Sequence, residues 1–503
     1  MIPTSSIHQG LFLAWLLSTT SAASILFNGG TIIAWSEEHK SLEIVRNGSL
    51  LITDDRIAAI YARGEASAYP ADTEVIDVAG KIITPGFVDT HRHSWQSAWR
   101  TLGSNLTMWD YFHRRFNPQG TAVFEPEDIY NAHLMGMYEG LNAGVTTMLD
   151  HAHHLWTKAH GEAGLRASLT SGARVFHAYG LGSVGYDITM EEQAGHFREL
   201  SKKYEDALKR STVSLGLSCD TFSFSDRDAL EPVLGIIRDY EIPVLTTHMV
   251  AGPYGLDNTP EKLHSLGILN TSMPVVFGHA SFLDQSSYEL LKATDQYASI
   301  TIESEMSVGQ TNPTAHRWLD QASLGIDAFW GFSSDLLTQA RMLLIYIRHT
   351  IFTEVTSRWE VPSKSPMSVS QAFLVATRSG GKALRRPDIG IIAEGAKADL
   401  IVWSTSNLAM LGWHDPITAI LTFASVSDIQ DVLVDGVFRK RDRKLLAVDL
   451  EDVKAKFLKT VERDREATFL IPQAEPSEDE RFISGARVVA TPKVDVIRGE
   501  GDG

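Results

Sequence analysis

Gly80-Lys81-Ile82-Ile83-Thr84-Pro85-Gly86-Phe87-Val88-Asp89-Thr90-His91-Arg92-His93 decides how this chain is read. A short apolar stretch, a Pro-Gly turn and a second apolar stretch spell a strand that ends on two histidines. Alternate residues of a strand project to the same side, so both imidazoles leave one face of its end. Two neutral imidazoles on a rigid strand end suit zinc or another divalent first-row metal. A His-x-His pair alone arises by chance in a chain with 18 histidines. The Pro-Gly-Phe-Val-Asp lead-in makes it specific.

Outward from this strand, residues 85 to 394 alternate strand-like runs with helical segments. The runs are Gly144–Asp150, Ala173–His177, Val213–Leu217, Pro243–Thr247, Pro274–Gly278, Ala298–Ile302 and Ala328–Phe332. With the strand before His91 they predict a parallel α/β barrel, whose chemistry belongs at the C-terminal strand ends. His248, His279 and Asp335 stand at such ends. Ser368 to Arg386 reads as a helix closing the barrel region. Short strands and turns fill residues 24 to 84, with Asn28-Gly29-Gly30 and Asn47-Gly48 read as hairpin signals. The pattern returns at Gly395–Trp403 and Val432–Gly436, which predicts one small composite β-sandwich built from both termini.

The strand-end residues, Trp95-Gln96 with Arg100, and Thr259-Pro260-Glu261-Lys262-Leu263 together resemble the amidohydrolase superfamily. Within it, the chain is similar to the deaminase and chlorohydrolase group of guanine, cytosine and adenosine-type deaminases and triazine hydrolases. The resemblance covers about residues 25 to 440, and it guides the count of barrel strands to eight. It implies a (β/α)8 TIM-type barrel and a divalent metal near His91, His93, His248 and Asp335. Asp335 would also accept the proton of the attacking water, and His279 would stand beside water or substrate. The expected ion is zinc, with iron the alternative. The fourth run, Leu217-Ser218-Cys219-Asp220-Thr221, offers no lysine that could be carbamylated to bridge two metals, so one ion is expected.

One position departs from the group. The glutamate that usually follows the fifth-strand histidine by three residues is Ala251 here. An alanine transfers no proton, and such acid–base help is worth about 10²–10⁴ in rate. Glu303 and Glu305, at the predicted end of the seventh strand, are the expected substitutes, with Tyr254 a weaker one. Trp95, Gln96, Trp109 and Phe112 follow the first strand and could contact a flat substrate, while a core role competes for the aromatics. His151, His153 and His154 form a second rim group, for substrate, a second metal or solvent. Lone Cys219 reads as a small packed residue, with a soft metal ligand as the alternative.

A formal net charge of −17 argues against nucleic acid or anionic membrane as main partner and says nothing about the expected small-molecule substrate. A homo-oligomer is compatible with the sequence. The single cysteine excludes an intrachain disulfide. Leu11–Leu17, followed by Ser18–Ala23, reads as a signal peptide over 1–23, although its n-region lacks Lys and Arg. Asn47, Asn105 and Asn270 begin glycosylation sequons. The expected route is therefore secretory, with a cytoplasmic enzyme as the alternative. The expected divisions are 24–84 and 395–445 for the β-sandwich, 85–394 for the barrel, and 446–503 for a C-terminal helix and tail. The expected activity is hydrolysis of a non-peptide C–N bond in a small, cyclic or heteroaromatic substrate by metal-delivered hydroxide. Its rivals are a non-hydrolytic dehydratase, isomerase or decarboxylase, and a non-catalytic metal-bearing binding protein.

Overall fold

A computed structural model describes residues 24–62, 69–114, 116, 121–182, 188–270, 272–470, 476–477, 479–492 and 494. The signal-peptide expectation at 1–23 lies outside the described residues. β1 (Ser24–Ser36), β2 (Ser41–Thr53), β3 (Arg56–Tyr61), β4 (Glu74–Asp77) and β5 (Ile82–Pro85) precede the barrel. Barrel strands are β6 (Phe87–Arg92), β7 (Val145–Ala152), β8 (Arg174–Leu181), β9 (Val213–Cys219) and β10 (Leu245–Val250). The short β11 (Leu256–Asp257) pairs antiparallel with β10, and β12 (Val275–Ser281), β13 (Tyr297–Ile300) and β14 (Ala322–Leu324) follow. β15 (Leu400–Trp403), β16 (Ile429–Val434), β17 (Val437–Arg441) and β18 (Lys444–Leu445) return to the first sheet.

That first sheet runs β18-β17-β16-β15-β5-β1-β2-β3, so strands from both ends of the chain share it. The junction is β5 against β15, with Pro85 opposite Leu400. The second sheet runs β6-β7-β8-β9-β10-β12-β13-β14, all parallel. It nearly closes: Arg92 bridges Asp327, and Thr90 Oγ1 reaches Ser323 Oγ at 2.7 Å. Val88, Leu149, Phe176, Val244 and Val276 fill one end of the barrel interior against Leu384 and Ile389. Side chains of this size contribute about 1.5–3 kcal/mol each when fully buried.

Three local expectations are corrected. Asn28-Gly29 and Asn47-Gly48 are not hairpin turns; both lie inside long paired strands. The β1/β2 register shifts at Asn28 and Gly30, and Gly29 and Asn47 take positive φ values of 83° and 51°. These are β-bulges, which use the same left-handed tolerance as a turn. The predicted closing helix is broken at Thr377 into Val369–Ala376 and Arg378–Ala383.

The third correction moves a functional residue. The eighth strand is Ala322–Leu324, not Ala328–Phe332. It reads poorly from sequence because it is three residues long and turns Ser323 towards Thr90 instead of an apolar core. The more apolar Ala328–Phe332 run is irregular and serves the rim. Phe329 lies under the Arg92 guanidinium, and Trp330 stacks on Tyr111 at 5.4 Å.

The two sheets are clamped by Arg174 at the start of β8. Its guanidinium grips Asp399 with two 3.1 Å bonds and also reaches Asp435. Arg174 and Asp399 are both buried, so this pair is desolvated, and removing either partner leaves an uncompensated charge. Among the described residues, no helix is long and apolar enough to cross a membrane.

Candidate metal centre and active site

His91 and His93 leave the end of β6, His248 leaves β10, and Asp327 follows β14 by three residues. One ligand atom from each of these four lies within 4.8 Å of all the others. Asp327 Oδ1 is 3.3 Å from His93 Nε2 and 3.5 Å from His91 Nε2. Its backbone fixes it there: Asp327 N–H donates to His91 O at 3.0 Å, and His93 N–H donates to Asp327 O at 2.9 Å. Ser304 Oγ bonds Asp327 Oδ2, leaving Oδ1 turned to the imidazoles. A Cβ on Gly278 would sit 2.7 Å from the His91 ring, and one on Gly325 would sit 2.5 Å from His91 O. Glycine at both positions is what lets His91 enter the cluster.

Hydrogen bonds set the tautomers. His93 Nδ1 faces the carbonyl oxygen of His151 at 2.9 Å, and His248 Nδ1 faces Asp220 Oδ2 at 2.9 Å. Both partners accept only, so each Nδ1 carries the proton and each Nε2 presents a lone pair. Those two Nε2 atoms are 3.2 Å apart. Both nitrogens of His91 are buried without a hydrogen-bond partner. Lone pairs and a carboxylate thus converge with no donor between them. The donor set suits a divalent cation, and the residues present fit it.

Electrostatics agree. Burial holds His91 well below its ordinary value, hence neutral. Burial would raise Asp327, but the adjoining imidazoles of His91 and His93 outweigh it and keep the carboxyl well below the usual range. Burial opposes ionisation of Asp220 too, and the adjoining His248 and His151 overcome it. Burial would lower His248, yet Asp220 pushes it up. Asp220 also lies 3.1 Å from His151 Nε2. His151, Asp220 and His248 form a second close group, with Asp220 as the carboxylate that orients the His248 ring. His151 falls to about 4, chiefly through burial.

His279 completes the ring. Its centroid is 5.1 Å from that of His91, and its Nδ1 meets Thr301 Oγ1 at 2.8 Å. It adopts φ +68°, a left-handed conformation rare for a residue with a Cβ. Strain of this kind costs of order 1–3 kcal/mol and persists where surrounding structure holds it.

The structure does not bring Asp335 to this cluster, which corrects its expected role as ligand and base. Asp335 caps the helix Leu336–Thr356, accepting from Thr338 N at 2.7 Å and Thr338 Oγ1 at 2.9 Å. With the eighth strand six residues earlier, the strand-end carboxylate is Asp327. Glu303 and Glu305 are also corrected. They sit on the short helix Ile302–Ser307, where residues two apart do not share a face. Glu303 accepts from Ser333 N at 3.0 Å and Gln339 Nε2 at 2.9 Å. Glu305 is buried behind His279, accepting from Thr301 N at 2.8 Å and Asn312 Nδ2 at 3.2 Å.

Around the mouth, the expected substrate contacts take different parts. Trp95 is buried among Trp99, Phe124 and Trp156, and its indole N–H donates to His153 Nδ1 at 3.1 Å. Gln96 donates to Tyr111 OH at 2.9 Å, and its Oε1 is buried without a partner. Trp109 stacks on His113 at 4.2 Å. Phe112 meets Phe482 of the C-terminal segment, which also meets Tyr254. His154 belongs instead to a buried polar group with His133 and His177. Cys219 is packed and buried, its thiol pushed up to about 12 by burial. Asn47 and Asn105 are exposed; the Asn270 side chain lies outside the described residues.

Sequence reading missed Asp327, Asp220, Tyr111 and the Trp95–His153 contact. Asp327 carried a signal, Gly325-Ile326-Asp327 directly after a short strand. The others depend on contacts between distant loops.

The Amidohydrolase family model matches residues 251–439. The chain is 26% identical over 427 residues to a 5-methylthioadenosine/S-adenosylhomocysteine deaminase of Dictyoglomus thermophilum, covering 82% of this chain and 93% of that relative. It is 25% identical over 437 residues to a 5′-deoxyadenosine deaminase of Methanobrevibacter smithii, covering 84% and 94%. A zinc-bound adenosine deaminase structure from Xanthomonas campestris superposes with a TM-score of 0.75 at 17% identity, covering 88% and 98%. A variant atrazine chlorohydrolase from Arthrobacter aurescens, complexed with zinc and atraton, gives 0.75 at 20%, covering 87% and 100%. These structures share the fold. With its strand-end cluster, the chain matches the Amidohydrolase family over residues 251–439 and is similar to metal-dependent deaminases and hydrolases.

Proposed function

We propose that this protein hydrolytically removes an amino group from a small heteroaromatic substrate of the adenine-nucleoside type, using one zinc ion. The convergence of His91, His93, His248 and Asp327 beside His279 carries the reading. The names of the deaminase relatives supply the substrate class.

His91, His93, His248 and Asp327 would hold a divalent cation, which when bound would lower the pKa of water towards neutrality. Asp327 Oδ1, held towards that point by Ser304, takes the proton from the attacking water. His279, fixed at Nδ1 by Thr301, presents Nε2 to the oxygen that gains charge. Water adds to the amino-bearing carbon, the C–N bond breaks, and the nitrogen leaves as ammonia with the proton Asp327 carried. Ala251 contributes nothing, and Glu303 and Glu305 are engaged elsewhere, so Asp327 does both transfers.

Ala251 also favours a second reading, a non-hydrolytic reaction in which the cation acts as Lewis acid and no leaving nitrogen needs a proton. Zinc-loaded protein incubated with 5′-methylthioadenosine, S-adenosylhomocysteine, adenosine, guanine and a chlorotriazine in ¹⁸O water separates the two. Ammonia release with ¹⁸O in the product supports deamination. Turnover without ¹⁸O incorporation supports the second reading. Secretion and glycosylation at Asn47, Asn105 and Asn270 remain part of the proposal, supported by the Leu11–Leu17 run and the exposure of Asn47 and Asn105. N-terminal sequencing of protein from its source tests it: a start at Ala23 or Ser24 upholds it, and Met1 on the isolated protein overturns it.

A further inference from the structure

We propose that Trp95 holds His153 as a neutral imidazole protonated on Nε2, there to donate a hydrogen bond to an acceptor atom of the substrate. The substrate part rests on the deaminase reading above; the tautomer part does not. An indole N–H can only donate, so the 3.1 Å contact from Trp95 Nε1 requires a lone pair on His153 Nδ1. The ring proton is then on Nε2. The two nitrogens of an imidazole point in nearly opposite directions, so this N–H aims away from Trp95.

Three observations give the arrangement a purpose. His153 lies flat on His93, with centroids 3.9 Å apart and planes 18° from parallel, so its edge is beside a proposed metal ligand. Phe116 packs against the ring at 4.8 Å. No described residue accepts from Nε2, whereas the Nε2 of neighbouring His151 is occupied by Asp220.

Trp95 cannot swing away. It is fully buried, with Trp99 at 4.7 Å, Trp156 at 5.2 Å and Phe124 at 5.6 Å. A donor fixed in advance loses little freedom on binding and discriminates by chemistry. It suits a substrate presenting an unprotonated ring nitrogen or a carbonyl oxygen beside the reacting carbon, and disfavours one presenting N–H there. His153 is thus a specificity-determining residue and Trp95 its positioning residue.

Full-length, zinc-loaded protein labelled with ¹⁵N-histidine tests this by long-range ¹H–¹⁵N correlation, with His153→Phe assigning the ring. The wild type should show the Nε2–H tautomer, and Trp95→Phe should release it to a mixture or to Nδ1–H. Saturating 5′-methylthioadenosine should move the Nε2–H proton downfield. In steady state, His153→Phe should lower kcat/KM about tenfold to a hundredfold, mainly through KM, with zinc content unchanged. His153→Gln, which keeps an N–H donor, should recover part of it. An Nδ1–H tautomer in the wild type overturns the proposal, as does a bound nucleoside that leaves Nε2–H unmoved. If 5′-methylthioadenosine does not bind, the nucleoside reading fails separately, and the tautomer decides for or against this one.

Discussion

Asp335→Ala should cost stability while leaving metal and turnover intact. The Asp335 carboxylate accepts two hydrogen bonds from Thr338 at the start of a 21-residue helix. Removing an N-cap of this kind costs about 0.5–2 kcal/mol. The helix itself should survive, because Leu336, Leu337, Ala340, Leu343, Leu344 and Ile347 anchor it in the core and only its first turn frays. In a protein larger than a typical domain, about 1 kcal/mol shifts the melting midpoint by less than about 4 °C. The assay is differential scanning of zinc-loaded protein, with zinc content and kcat/KM measured on the same sample. Asp335→Asn should recover most of the midpoint, since asparagine caps as well as aspartate. Asp327→Ala is the counterpart and should lose zinc and activity together. A fall in turnover of about 10² or more in Asp335→Ala, with midpoint unchanged, would refute the cap reading and return Asp335 to the chemistry.

Gly278→Ala should displace the His91 ring, because its Cβ would stand 2.7 Å from that ring, and zinc retention under mild chelation should fall; full retention contradicts the packing argument. Asp220→Asn should weaken zinc affinity about tenfold to a hundredfold through loss of the carboxylate that orients His248. In metal-free protein two groups make stability depend on pH. His248 is raised, so its contribution is full below about pH 6.5 and is lost as pH rises through its folded value. Asp220 is depressed, so its contribution is present above about pH 4 and is lost as pH falls through its folded value. Thermal midpoints across pH should therefore fall on both sides, and Asp220→Asn should flatten both limbs. Arg174→Met should destabilise by about 3–5 kcal/mol, since it strands buried Asp399, and denaturant titration checks it.

Most of the architecture was legible because it is written in local patterns. The strand before His91, the apolar runs of β7 to β12 and the paired terminal strands each announce themselves within a few residues. His91, His93, His248 and His279 follow those runs directly, and the structure gathers them. What could not be read depends on tertiary closure. β14 is held by hydrogen bonds that Thr90, Ser299 and Ser323 share across the barrel seam, and Ala322 and Leu324 alone are too short an apolar signal to mark it. The eye goes instead to Ala328–Phe332, and the ligand assignment slides from Asp327 to Asp335 with it. Asn28-Gly29 and Asn47-Gly48 signal left-handed backbone correctly, but a bulge and a turn use that freedom alike. Asp220 gave no sign of its role because its partners, His151 and His248, arrive from two other strands.

Anomalous diffraction at the zinc edge from crystals of the purified protein tests the central claim most directly. The account predicts one peak per chain at about 2.0–2.2 Å from nitrogen atoms of His91, His93 and His248 and from a carboxylate oxygen of Asp327. A peak coordinated by Asp335, or by His151 and Asp220 without His91 and His93, would contradict it.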